Sequence, residues 1–168
     1  GPWLWMTVET SMSGSGALNS GTDWLSQASS GLVTEAQVAD SGVFAGQAVG
    51  NKVWKAATIS ATPGSGDNVN DVVTSIGFGT GNVEETVAYS MIYLMSPAAQ
   101  PNVTMKVGSD DSIQVWLNGQ VVHQNAVDRG ASDYLDTFEV SLVKGVNPLL
   151  VATYEGSGGW SMFAGIDA

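Results

Sequence analysis

Along most of the chain, apolar residues recur at every second position in short runs separated by Gly, Asn, Asp and Pro. This is the pattern of half-buried β-strands joined by turns. Val103, Met105 and Val107 alternate with Thr104 and Lys106; Phe138, Val140 and Leu142 alternate with Glu139 and Ser141. Ile113, Val115 and Leu117 alternate with Gln114 and Trp116, and Asn118-Gly119 then gives a strong hairpin signal leading into Gln120–Asn125. Thr86–Met95 is apolar at both parities, as expected of a strand covered on both faces. Trp3–Val8, Lys52–Lys55, Leu149–Tyr154 and Trp160–Ile166 complete the strand set, with turns at Lys144-Gly145 and Gly156–Gly159.

The N-terminal half carries other signals. Ser11–Gly21 reads as a loop, Thr22 or Asp23 as the cap of a short helix through Trp24, Leu25 and Ala28, and Thr34 as the cap of another over Glu35–Ala39 stopped by Gly42. Ala61–Asn70 reads as a further loop, and Asn70 or Asp71 caps one helical turn before Gly77. The predicted architecture is all-β: a jelly-roll-like antiparallel β-sandwich with a few short helices in the N-terminal half. It spans residues 3–168 as one module, with Gly1-Pro2 read as the remnant of a cleaved tag. The lack of an internal repeat argues against a propeller or solenoid.

A two-residue turn at Asn118-Gly119 pairs Leu117 with Gln120, Trp116 with Val121, Val115 with Val122 and Gln114 with His123. One face then holds Ile113, Val115, Leu117 and Val122, and belongs to the core. The other holds Trp116, Val121, Gln114 and His123. Trp116 either forms a platform for a sugar or peptide or lies beneath the N-terminal helices, and the usual fate of Trp favours burial.

Composition narrows the partners. In 168 residues there are 5 Lys and Arg against 16 Asp and Glu, a net charge of −11, and no Cys. With Arg129 the single arginine, there is no basic patch for phosphates or anionic lipid, so nucleic-acid and membrane-surface binding are disfavoured. The charge suits divalent cations and repels acidic partners. The low charged fraction of 12% and hydrophobic fraction of 43% exclude a disordered tail or coiled coil. His123 is the one histidine, with no recognisable nucleophile or orienting group beside it, and reads as structural.

The densest polar cluster is Gly108-Ser109-Asp110-Asp111-Ser112, at the entrance of the Ile113–Asn118 strand. Two adjacent carboxylates there call either for a hard cation such as Ca²⁺, bound through oxygens, or for backbone N–H donors in a turn. Asp67–Asp71 has the composition of a calcium loop, but Val69 stands where an oxygen ligand is needed, which favours a loop capping a helix. Arg129, flanked by Asp128, Asp133 and Asp136, either clamps a ligand or pairs with a neighbouring Asp. Trp160 is either a core plug or an exposed stacking ring.

Ser109–Gly119, with Asp-Asp followed by Val115-Trp116-Leu117-Asn118-Gly119, resembles the signature of PA14-like β-sandwich modules and of carbohydrate-binding-module-like domains in secreted bacterial surface proteins and glycoside hydrolases. Leu142–Val151, with Lys144-Gly145 and Asn147, and Gly158-Gly159-Trp160 through Phe163, resemble two further elements of those modules. The resemblance implies a secreted or cell-surface, monomeric, non-catalytic module that binds glycan with Ca²⁺. Asp110 and Asp111 would be metal ligands across a cis peptide, and Asn125 is assigned the part of the family's further asparagine ligand. Arg129, Trp116 and Trp160 join them as candidate ligand contacts. A structural or adhesive spacer without a small ligand is the alternative. An enzyme ranks last, since neither a nucleophile elbow nor a metal triad is visible and adjacent carboxylates are poorly placed to oppose one another across a sugar ring.

Overall fold

The computed structural model describes residues 1–62, 64 and 66–167. In chain order the elements are β1 (Trp3–Glu9), α1 (Gly14–Asn19), α2 (Trp24–Ala28), α3 (Glu35–Ser41), β2 (Ala48–Val49), β3 (Lys52–Val53), β4 (Lys55–Ala57) and α4 (Asn68–Ser75). There follow β5 (Thr86–Ser96), β6 (Gln100–Asp110), β7 (Ser112–Leu117), β8 (Gln120–Asn125), β9 (Asp136–Leu142), β10 (Gly145–Glu155) and β11 (Ser161–Asp167). A six-stranded sheet, β4-β1-β5-β10-β7-β8, faces a three-stranded sheet, β11-β6-β9, and every pairing is antiparallel. The chain is thus an all-β sandwich. Among the described residues no helix is long and apolar enough to cross a membrane.

The six-stranded sheet is the middle of three layers, which explains its central strands. Side chains alternate between faces. On β5, Val87, Tyr89 and Met91 enter a cluster with Trp24, Leu25, Val38 and Ala39 of the helices, whereas Ala88 enters the core between the sheets. On β10, Leu150, Ala152 and Tyr154 face the helices while Leu149 and Val151 face the second sheet. The double coverage expected of Thr86–Met95 holds for its first half; beyond Met91 the strand alternates again. Trp116 pairs with Leu150 and lies in the helix-side cluster, 5% exposed, so the helices and not a ligand cover it. Burying each such large side chain contributes roughly 1.5–3 kcal/mol.

Three local expectations are corrected. The hairpin pairs Leu117 with Gln120 and Trp116 with Val121 as expected, but a bulge then sets His123, not Val122, opposite Val115 and Asn125 opposite Ile113. The stretch assigned to a loop at Ser11–Gly21 contains α1, whose Ser13 side chain accepts the Gly16 N–H at 3.0 Å. Gly14, Ser15 and Gly16 are weak helix formers, so local propensity gave no warning; packing of Gly14 and Ala17 overrides it. Lys52–Lys55 is interrupted, its two halves pairing with different strands.

Candidate functional site

The site forms where the chain crosses from one sheet to the other. β6 ends at Asp110 in the three-stranded sheet, β7 begins at Ser112 in the six-stranded sheet, and the Asp110–Asp111 peptide between them is cis. The last residue of neighbouring β10 is Glu155. Its parity is that of Leu149, Val151 and Thr153, so its side chain points between the sheets and toward this crossing. Carboxylate oxygens of Asp110, Asp111 and Glu155 all lie within 4.8 Å of one another.

The three carboxylates are held differently. Asp111 is anchored: its main-chain N–H donates to the Tyr154 carbonyl (2.9 Å), Oδ1 accepts from the Arg129 N–H (2.9 Å) and Oδ2 from the Gly156 N–H (3.0 Å). Glu155 is the opposite case. It is 0% exposed, and among the described residues no donor stands in hydrogen-bond geometry to either carboxylate oxygen; the nearby Gly156 N–H, directed to Asp111, offsets only a little of the cost of its burial. Burial, reinforced by the charges of Asp110 and Asp111, pushes it up to about 9. Burial and the Asp111 charge likewise push Asp110 up to about 7. A fully buried, unpartnered carboxylate costs several kcal/mol if it stays ionised, by roughly the scale of buried-ion penalties. Either protons or a cation must compensate Asp110 and Glu155, and the oxygen-only donor set of the three carboxylates is that of a hard cation.

Small residues let the surroundings close on this cluster. A Cβ on Gly14 would stand 2.6 Å from Asp111 Cβ and 2.8 Å from the Tyr154 carbonyl oxygen; one on Gly159 would stand 3.1 Å from Asp110 Oδ2. The wall beyond is the segment between β8 and β9. Ser15 of α1 holds it at Asp128 through its N–H (2.9 Å) and hydroxyl (2.6 Å), and the Ser161 hydroxyl holds it at the Ala131 carbonyl (2.7 Å). Beside Asp110 opens a cleft of about 630 Å³, lined among others by Asp67, Asn82, Ser132, Asp133 and Leu135. Asp67, read from sequence as part of a capping loop, precedes α4, and its Oδ1 accepts the Trp160 N–H at 3.0 Å.

The other sequence candidates fall elsewhere. Trp160 is 0% exposed, its indole N–H donating to the Thr153 carbonyl at 3.3 Å, so it is the core plug and presents no stacking face. Asn125, assigned to the metal set, gives its side-chain amide to Asp136 at 3.3 Å. Arg129 pairs with Asp136 rather than facing the cleft with a free guanidinium; both contacts are 2.9 Å, and they hold the Asp136 carboxyl well below the usual carboxylate range. His123 joins that pair at 3.1 Å and stacks on Phe138 with ring centroids 4.4 Å apart. Glu155 was missed. Its signal was available: one acidic residue closing an otherwise apolar strand, on the inward parity.

No family model matches the chain, and no curated protein matches it. Among solved structures, the chain is similar to the PA14 domain of the MpAFP antifreeze protein, with a TM-score of 0.55 and 13% identity over 99% of this chain and 81% of that one. It also matches the Faecalibacterium prausnitzii β-glucuronidase (TM-score 0.44, 18% identity) over 92% of its own length but 20% of the enzyme's. The match to the Kluyveromyces marxianus β-glucosidase (TM-score 0.38, 15% identity) spans 49% of the chain and 10% of that enzyme. The fold of this chain is that of a PA14-like β-sandwich.

Proposed function

We propose that this chain is a non-catalytic, extracellular glycan-binding module whose binding end is built around a divalent cation, Ca²⁺ by the chemistry of the ligands. The observation that carries the reading is Glu155, a fully buried carboxylate with no donor in hydrogen-bond geometry among the described residues, whose oxygens lie within 4.8 Å of those of Asp110 and Asp111. Those three residues would hold the ion. When bound, it supplies a positive centre that polyhydroxylated ligands can share at the floor of the cleft. The chain's own residues do the rest. The Arg129 and Gly156 N–H groups fix Asp111, while Asn82 and Ser132 offer hydrogen bonds and Leu135, 54% exposed, an apolar surface at the cleft.

Convergence also argues for binding over hydrolysis. Carboxylates gathered within 4.8 Å suit one shared cation, whereas an acid–base pair flanking a glycosidic bond is separated by roughly 5–10 Å across the sugar. The test is a glycan array probed with the chain in Ca²⁺ and again in excess chelator. Retention that disappears with chelator supports the reading. Either no retention in Ca²⁺ or retention unaffected by chelator overturns it, and the former leaves a spacer domain.

A further inference from the structure

Arg129 makes more contacts than an ion pair requires. Its Nη1 and Nη2 grip both oxygens of Asp136 at 2.9 Å, its Nε donates to the Ser109 carbonyl at 3.0 Å, and Nη2 also reaches Ser109 Oγ at 3.1 Å. Ser109 Oγ in turn donates to the Asp111 carbonyl at 2.7 Å, and the Arg129 main-chain N–H donates to Asp111 Oδ1 at 2.9 Å. From the far side, His123 and Asn125 of β8 hold Asp136 in place. The guanidinium therefore ties the end of β6 to the start of β9 and, through the Ser109 hydroxyl, reaches the Asp111 main-chain carbonyl, while the main-chain N–H of the same residue holds the Asp111 carboxylate. Because Arg129 and Asp136 bracket Gly130–Leu135, the same contact closes the neck of the segment that walls the cleft.

We infer that Arg129 is the positioning residue of the cation site: its fork to Asp136 and Ser109 sets where Asp111 presents its carboxylate and fixes the cleft wall at residues 130–135. The inference rests on the cation reading above. Lysine cannot replace the arginine, because a single ammonium cannot span Asp136 and Ser109 together, although the charge near the site is unchanged. The effect is therefore one of geometry, separable from electrostatics. Loss of a partner that orients a metal ligand lowers metal affinity by about 10–100-fold.

The test titrates the whole chain with Ca²⁺ alone, by calorimetry after chelator treatment, in wild type, Arg129→Lys and Ser109→Ala. Leu142→Ala, in the core away from the site, serves as a control for general destabilisation. Expected is a Ca²⁺ affinity lower by about 10–100-fold in Arg129→Lys, and shifted in the same direction in Ser109→Ala, with Leu142→Ala within about threefold of wild type. Amide exchange in residues 130–135 should quicken in Arg129→Lys while β5 and β10 keep their protection. Should Arg129→Lys fail to fold, the milder Ser109→Ala decides. Wild-type affinity in the altered chains, with wild type itself binding, overturns the positioning role and leaves the cation reading intact. A wild-type chain that takes up no Ca²⁺ overturns the cation reading, and this inference with it.

Discussion

Replacing Glu155 by Gln separates the cost of the carboxylate cluster from its use. In the metal-free fold Glu155 titrates at about 9, so at pH 7 it is a neutral acid, and Gln is close to it in shape and equally uncharged. Metal-free stability should therefore change by less than about 1 kcal/mol, within the range of substitutions that open no cavity and break no bond. The response to cation should change far more. An ion at 100 times its Kd stabilises wild type by about 2.7 kcal/mol. For a chain of 168 residues that is a Tm rise of roughly 5–11 °C. Glu155→Gln loses one of three charged oxygen donors and should lose most of that rise. Proton release gives a second reading. With both Asp110 and Glu155 pushed up by burial and by neighbouring charge, cation uptake at pH 7 should release protons, and about one more from wild type than from the variant, which lacks the Glu155 proton. Calorimetry in buffers of different ionisation enthalpy measures this, and scanning fluorimetry with and without Ca²⁺ measures the Tm shift. An undiminished Tm rise in the variant, or a metal-free chain several kcal/mol less stable than wild type, refutes the reasoning.

Asp110 and Glu155 hold protons more tightly in the fold than in the unfolded chain, so their contribution to metal-free stability is complete below the ordinary carboxylate range. It is lost as pH rises through about 7 and then about 9. Thermal melts in chelator across pH 4 to 9 should follow that decline, and saturating cation should flatten it; a metal-free Tm that rises over pH 6 to 9 contradicts the assignment. Gly14→Ala would drive a methyl to within 2.6 Å of Asp111 Cβ, costing about 1–3 kcal/mol of stability by overpacking and weakening cation affinity. Urea denaturation and a Ca²⁺ titration check both effects together.

Much of this fold was legible because its sheets obey period two. Val103, Met105 and Val107, and Ile113, Val115 and Leu117, face the core as their alternation required. Even the coverage of Trp116 followed from the way large indoles are buried. What escaped was decided by tertiary packing. α1 is a helix of poor formers held by contacts with β7 and β10, and the bulge in β8 answers to the Asp136 cluster and the stacking of His123 on Phe138 rather than to the Asn118-Gly119 turn. In the site, the Asp110–Asp111 pair stood out because adjacent charges are conspicuous in sequence. Glu155 was passed over although its inward parity was readable; what the sequence did not give is its place against Asp110 and Asp111, 45 and 44 positions away, which the pairing of β10 with β7 sets. Arg129 was recognised as a choice between ligand and neighbour, and Asp136 resolves it.

A crystal of the chain grown with Mn²⁺ in place of Ca²⁺ puts the ion itself on view. Anomalous density among Asp110, Asp111 and Glu155, with oxygens of all three in its coordination sphere, is the expected result. Clean density there without an anomalous peak, or a Glu155 side chain turned away to solvent, contradicts a cation-built binding end.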